Sequence, residues 1–226
     1  MIGLLFGSFD PVHIGHITIA EWALQEGGCS EVWLVLSPQN PMKATTAAPY
    51  QMRKAMVEMA IEGLECIKLC TVESELTPPF YTINTIEKLQ SDFPDEKFVI
   101  LCGTDVKKQS HKWHRHCDLF KLVEFKEYPR HCNDSLPFID ISSTEVRCGL
   151  KPEMVNPQVL DYIKENEVYN CNLEQGRAYY NEGKIGEAIN HWQMVTPQSR
   201  FHNEAKTLIE LASNILAYSY TEIYNP

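Results

Sequence analysis

The sequence is short of positive charge. Lys and Arg number 20 against 30 Asp and Glu in 226 residues, a net charge of −10. That balance argues against an unspecific nucleic-acid or membrane binder, and any phosphate handled here must meet cations that are concentrated locally. Long apolar runs are missing too. The opening "MIGLLF" is too short to span a bilayer and follows no basic leader, so neither a membrane span nor an export signal is expected. The eight cysteines have no paired-motif spacing: Cys66 and Cys70 stand four apart, and Cys102, Cys117, Cys132, Cys148 and Cys171 are scattered. They are expected as reduced thiols in a cytoplasmic protein. Neither G-x-G-x-x-G nor G-x-x-x-x-G-K-[ST] occurs, which leaves a dehydrogenase or a Walker-type nucleotidase without support.

What is present is an alternation. Hydrophobic residues make up 44% of the chain, enough to pack one full domain with room for a small appendage. "MIGLLF", "EVWLVLS" (31–37), "CIKLCTV" (66–72), "KFVILCG" (97–103) and "LPFID" (136–140) read as strands. Between and after them, "ITIAEWALQEGG", "YQMRKAMVEMAIEG" (50–63), "YTINTIEKLQSDF" (81–93), "HKWHRHCDLF", "SSTEVRCG" (142–149) and "PQVLDYIKEN" (157–166) read as helices. The order predicts an α/β fold, a doubly wound parallel sheet. From Asn172 onward only helices are expected. The predicted division is therefore an α/β domain over 1–171 and a small all-α extension over 172–226.

The stretch "GSFDPVHIGH", Gly7 to His16, lies between the first strand and the first helix, where α/β sheets bind ligands. His13 and His16, three residues apart at a helix start, share a face. The helix terminus adds free N–H groups and partial positive charge. Gly7 lets backbone approach a ligand closely, and Pro11 fixes the turn. Together these make an anion pocket with two imidazole donors. Farther on, "ISSTEVR" (141–147) places Ser142 and Glu145 at capping-box spacing. A helix begins there whose N–H groups and hydroxyls can hold phosphate oxygens, with Arg147 adding charge.

The two stretches resemble the paired marks of the nucleotidyltransferase superfamily, (H/T)-x-G-H after a G-x-F-D-P loop, and I-S-S-T-x-x-R. Further stretches resemble its nicotinate mononucleotide adenylyltransferases over about residues 1–170. They are "SPQNPMK" (37–43), "PPFYTINTIEKL" (78–89), "FVILCGTD" (98–105), "KWHRH" around Trp113, and "VNPQVLDYIKENEVY" (155–169). The resemblance implies adenylyl transfer from ATP to nicotinate mononucleotide, giving nicotinate adenine dinucleotide and pyrophosphate in NAD biosynthesis. It implies that His16 donates to the α-phosphate in the transition state, assisted by His13 and Lys43. Gly7, Ser8, Phe9, Gly103 and Asp105 belong to the implied ATP site, and Ser142, Ser143, Thr144 and Arg147 to its triphosphate part. Thr82 and Trp113 take the nicotinate ring and its carboxylate. Mg2+ comes with ATP, with few or no protein ligands.

Three features depart from the pattern. Phe6 stands where the family has a small residue, and the 131–140 segment is short for one that helps close the site. A histidine-rich patch, His111, His114, His116 and Cys117, fits no common zinc spacing. Two other readings stay open. One is a relative using nicotinamide mononucleotide, phosphopantetheine or another phosphorylated acceptor. The other is a nucleotide-binding adaptor that works through its helical extension.

In that extension Gly176, Tyr179, Gly183, Ala188 and Trp192 fall at offsets 0, 3, 7, 12 and 16, those of a tetratricopeptide repeat. A plain helical hairpin fits equally. A single repeat cannot bury its own face, so the extension should dock on the rest of the chain, on a second subunit in a homo-oligomer, or on an unknown partner. Its expected contribution is stability or assembly, not chemistry.

Overall fold

A computed structural model describes residues 1–41, 46–128 and 141–224. Five strands, β1 (Ile2–Gly7), β2 (Glu31–Leu36), β3 (Ile67–Cys70), β4 (Phe98–Gly103) and β5 (Glu124–Tyr128), form one sheet. Their order is β3-β2-β1-β4-β5, and every neighbouring pair is parallel. The helices that alternate with them are α1 (Ile14–Gln25), α2 (Tyr50–Ala60), α3 (Thr82–Asp92), α4 (Thr104–Gln109) and α5 (His116–Leu122). Then come α6 (Ser143–Arg147), α7 (Pro157–Glu165), α8 (Cys171–Asn181), α9 (Ile185–Gln193) and α10 (His202–Tyr224). The doubly wound parallel sheet expected from the alternation is there.

The strand sequences explain the arrangement. A parallel strand flanked on both faces must be apolar throughout, and "FVILCG" of β4 is buried at every position. On one face Ile2, Leu4, Phe98 and Ile100 meet Ile83, Ile86 and Leu89 of α3 and Leu119 of α5. Each such fully buried side chain contributes about 1.5–3 kcal/mol. β5 was not expected. Its "EFKEY" has three charges in five residues, and among the described residues it pairs with β4 alone. The edge position tolerates those charges, and tertiary pairing makes it a strand. The strand expected at 136–140 lies outside the described residues.

The chain divides into two compact units, Met1–Ser143 with Glu153–Val159, and Thr144–Pro152 with Leu160–Pro226. This runs earlier than the expected 171/172 boundary, because residues around α6 are bonded to α8. Arg147 pairs with Glu174, and Gln175 Nε2 donates to the Cys148 carbonyl at 2.8 Å. Within the second unit α8, α9 and α10 share a core of Leu173, Ala188, Trp192, Val195, Ala205 and Ala212. The Trp192 indole lies against Gly176, where a Cβ would collide with it, and donates to the Leu173 carbonyl at 3.1 Å. All five counted residues thus build the α8–α9 hairpin: Gly176, Ala188 and Trp192 in its core, Gly183 in the turn, and Tyr179 packed against the core and stacked on His191 at 5.1 Å. No described helix is long and apolar enough to cross a membrane.

Candidate active site

The strand order reverses direction between β1 and β4, and in such sheets ligands enter beyond the carboxyl ends of those two strands. Gly7 ends β1 and Gly103 ends β4. A cavity of about 680 Å³ opens there, within the size range of small-molecule sites. Gly7, His16, Thr82, Gly103 and Trp113, all expected at the site, line it together, and Phe6 adds its half-buried ring to the wall.

The loop after β1 is built around Phe9. Its ring is 1% exposed, and its φ of 44° is the left-handed conformation. The ring fills the space a Cβ would need at Gly7, and it meets His16 edge-on at 4.9 Å between centroids. Phe9 and the buried Ser8 therefore shape the loop with their side chains turned inward. What they offer a ligand is backbone. His13 precedes the first turn of α1, and its ring stacks on His16 at 3.8 Å. The His13 backbone N–H donates to His16 Nδ1 at 3.2 Å. That bond makes Nδ1 an acceptor and leaves the His16 proton on Nε2, so the second nitrogen is a donor. Gly15 keeps the pair in place: a Cβ there would press on the His13 ring and on Ile141, each at 3.1 Å.

One residue of the second mark, Ser143, contacts the first within the same unit. Ser143 Oγ donates to the Pro11 carbonyl at 2.9 Å, joining the start of α6 to the "FDPVH" turn. Thr144 and Arg147 lie in the second unit, where Arg147 Nη2 donates to Thr144 Oγ1 at 3.1 Å. Glu145 is paired with Lys151 at 2.9 Å. Thr82 is the first residue of α3, and Asp105 the second of α4. Lys43 and the 131–140 segment lie outside the described residues.

Several residues with no role read from the sequence support this site. Asp10 accepts from the Ala47 and Ala48 N–H groups at 2.7 and 3.1 Å, fixing the chain just after the segment that carries Lys43. Arg53 of α2 is fully buried. It donates to the carbonyls of Ser8 (2.7 Å), Ser37 (2.8 Å), Pro38 (2.8 Å) and Ala48 (3.1 Å), clamping the loops that follow β1 and β2. A signal for Arg53 existed: with Met56, Val57 and Ala60 it completes the buried stripe of α2. Tyr81 and His114 stack at 4.2 Å and also line the cavity. In the histidine patch, His111 Nδ1 bonds the Lys108 carbonyl at 2.7 Å and His116 Nε2 approaches Cys117 Sγ at 3.3 Å. Among the described residues no group of three or more His, Cys, Asp or Glu side chains is placed to hold a metal ion.

Glu73 is a buried acid on the cavity wall, 2% exposed. It accepts from Thr85 Oγ1 at 3.0 Å. Burial pushes its carboxyl above the ordinary value of 4.5, and the Ser37 and Thr85 hydroxyls only partly offset this. A raised folded value means that the folded chain holds this proton more tightly than the unfolded one. Its contribution is fully present below the ordinary value and is lost as pH rises through the folded one. Glu73→Gln cannot lose a proton. Its Tm is expected to match the parent near pH 4.5 and to exceed it increasingly toward neutral pH, by several degrees. Melting curves across that range check this, and a pH-independent Tm difference would refute it.

The family described as cytidylyltransferase-like has a model that matches residues 4–149. A protein of Flavobacterium johnsoniae named "Probable nicotinate-nucleotide adenylyltransferase" is 33% identical over 190 residues, spanning 74% of this chain and 98% of that protein. One of the same name from Cytophaga hutchinsonii is 31% identical over 194 residues, spanning 80% of this chain and 98% of its own. Among solved structures, the Plasmodium falciparum nicotinic acid mononucleotide adenylyltransferase complexed with NaAD is similar in fold. Its TM-score is 0.59 at 20% identity, covering 74% of this chain and 96% of that one.

Proposed function

This chain belongs to the cytidylyltransferase-like family and, within it, to the nicotinate-nucleotide adenylyltransferases, and from that we infer its reaction: it transfers the adenylyl group of ATP to nicotinate mononucleotide. The observation that carries this reading is one cavity, at the ends of β1 and β4, lined by His16 and also by Thr82 and Trp113. On this reading the donor for the phosphate and the pair for the pyridine line the same cavity.

In the reaction a phosphate oxygen of nicotinate mononucleotide attacks the α-phosphorus of ATP in line. The new O–P bond forms as the bond to the β-phosphate oxygen breaks, and pyrophosphate leaves with that electron pair. No covalent enzyme intermediate is needed, so catalysis is positioning and charge neutralisation. His16 donates from Nε2 to an α-phosphate oxygen, where charge builds up. His13 and Lys43 assist there. Gly7, Gly103 and the backbone of Ser8 and Phe9 let the nucleotide lie close to the strand ends, and Asp105 accepts from its ribose or adenine. Ser142, Ser143, Thr144 and Arg147 take the triphosphate. Magnesium enters with ATP as part of the substrate. Trp113 stacks on the pyridine ring, and Thr82 meets the carboxylate at the start of α3. ATP and mononucleotides are cytoplasmic compounds, and the enzyme is expected in that compartment.

Pyrophosphate release from MgATP over a panel of acceptors tests this. Nicotinate mononucleotide is expected to exceed its amide in kcat/KM by about 10²-fold or more, since donors placed for a carboxylate are left unpaired by an amide. Phosphopantetheine should give no release. Equal rates for acid and amide would make the enzyme dual-specific, and no release with any acceptor would turn the reading to a nucleotide-binding adaptor.

A further inference from the structure

We propose that Glu174, in the helical extension, is the positioning residue for Arg147, so that the extension reaches adenylyl transfer through the motif arginine. This rests on the reading of Arg147 as a triphosphate-binding residue.

Glu174 Oε2 accepts from Arg147 Nε at 2.8 Å, with side-chain exposures of 7% for the acid and 16% for the arginine. An ion pair so far removed from water is unlike a surface pair, whose net value is near zero. Its geometry is constrained at both ends. The second Glu174 oxygen accepts from Arg177, and Arg177 also pairs with Glu204 of α10. The relay Glu204–Arg177–Glu174–Arg147 alternates in charge, and each member holds the next. On the other side Thr144 Oγ1 accepts from Arg147 Nη2. Glu174 and Thr144 therefore grip two nitrogens of one flat guanidinium and set its plane. The main chain is held too, because Gln175 of α8 bonds the carbonyl of Cys148, the residue after Arg147.

A guanidinium recognises phosphate through donors in a rigid planar fork, so the orientation of that plane decides whether it binds well. A carboxylate beside it weakens its net attraction for anions. The arrangement is therefore useful only if orientation outweighs that loss, which a test of ATP affinity can read. Glu174 lies beyond residue 149, where the match to the family model ends.

The test uses the full chain and four variants: Glu174→Ala, Glu174→Gln, Arg147→Ala and the double variant Arg147→Ala/Glu174→Ala. The measurements are KM for ATP, KM for nicotinate mononucleotide, kcat and Tm. Glu174→Ala is expected to raise KM for ATP about tenfold with the other KM unchanged, a size typical of coupled contacting residues. Glu174→Gln keeps the accepting oxygen and should raise it only about threefold. In the Arg147→Ala background the loss of Glu174 should add nothing. A drop in Tm or kcat with KM for ATP unmoved in both Glu174 variants would overturn the proposal, as would effects that multiply in the double variant. Should Glu174→Ala not fold, the near-isosteric Glu174→Gln carries the same test. If Arg147→Ala itself leaves KM for ATP unchanged, the triphosphate reading of Arg147 fails first, and that result is distinct from a failure of positioning.

Discussion

Replacing His16 by alanine is expected to lower kcat by about 10²–10³-fold, the usual cost of losing one donor to transition-state charge. The same change removes a structural bond, because His16 Nδ1 accepts the His13 N–H. Losing a capping interaction of this kind costs about 1 kcal/mol, so Tm should also fall by about 2–4 °C in a chain of this size. The two effects can be separated. Glutamate at the third helical position reaches back to the same backbone N–H in a capping box. His16→Glu should therefore restore the Tm and leave kcat low, since an ionised carboxylate only accepts and no donor replaces Nε2. Recovery of turnover by His16→Glu would show that His16 acts on the loop and not on the phosphate. Near-normal turnover in His16→Ala would remove it from the chemistry altogether.

The second large effect is expected at Arg53, which need not touch substrate. Its guanidinium serves four carbonyls of three segments, at Ser8, at Ser37 and Pro38, and at Ala48. The first two segments follow β1 and β2, and Ser37 also lines the cavity. Arg53→Ala leaves buried carbonyls without their donor, each worth about 1–3 kcal/mol. The total loss should be about 3–5 kcal/mol, and Tm should fall by about 10 °C or more. Activity should fall even well below the new Tm, because the loops that present His16 and the cavity wall lose their common anchor. Arg53→Lys keeps the charge but cannot spread its donors over a planar fork. It should recover little of either loss. Thermal melts and kcat at low temperature decide this, and a lysine variant close to the parent in both would show that charge alone is what the site needs.

By itself the sequence determined the alternation of buried strands and amphipathic helices, and it marked the loops proposed here to carry the chemistry. Those features are written in neighbours along the chain. Apolar runs such as "FVILCG", the turn residues of "GSFDP", and the spacing of His13 and His16 each encode a local structure that folding leaves in place. Even the offsets from Gly176 to Trp192 worked in this way, because helical period alone brings Trp192 over Gly176 once the hairpin turns at Gly183. Only the tertiary structure decided the rest. "EFKEY" is a strand because β4 offers it a free edge. The stripe of α2 marks Arg53 as an inward residue, but three of the four carbonyls it serves, those of Ser8, Ser37 and Pro38, lie 15 or more residues away. Glu73 reads as one more surface acid until the cavity wall closes over it. Glu174 meets Arg147 across 27 residues of sequence. A charge shows its role only through the partner it finds, and when that partner is distant along the chain, the packing of whole elements chooses it.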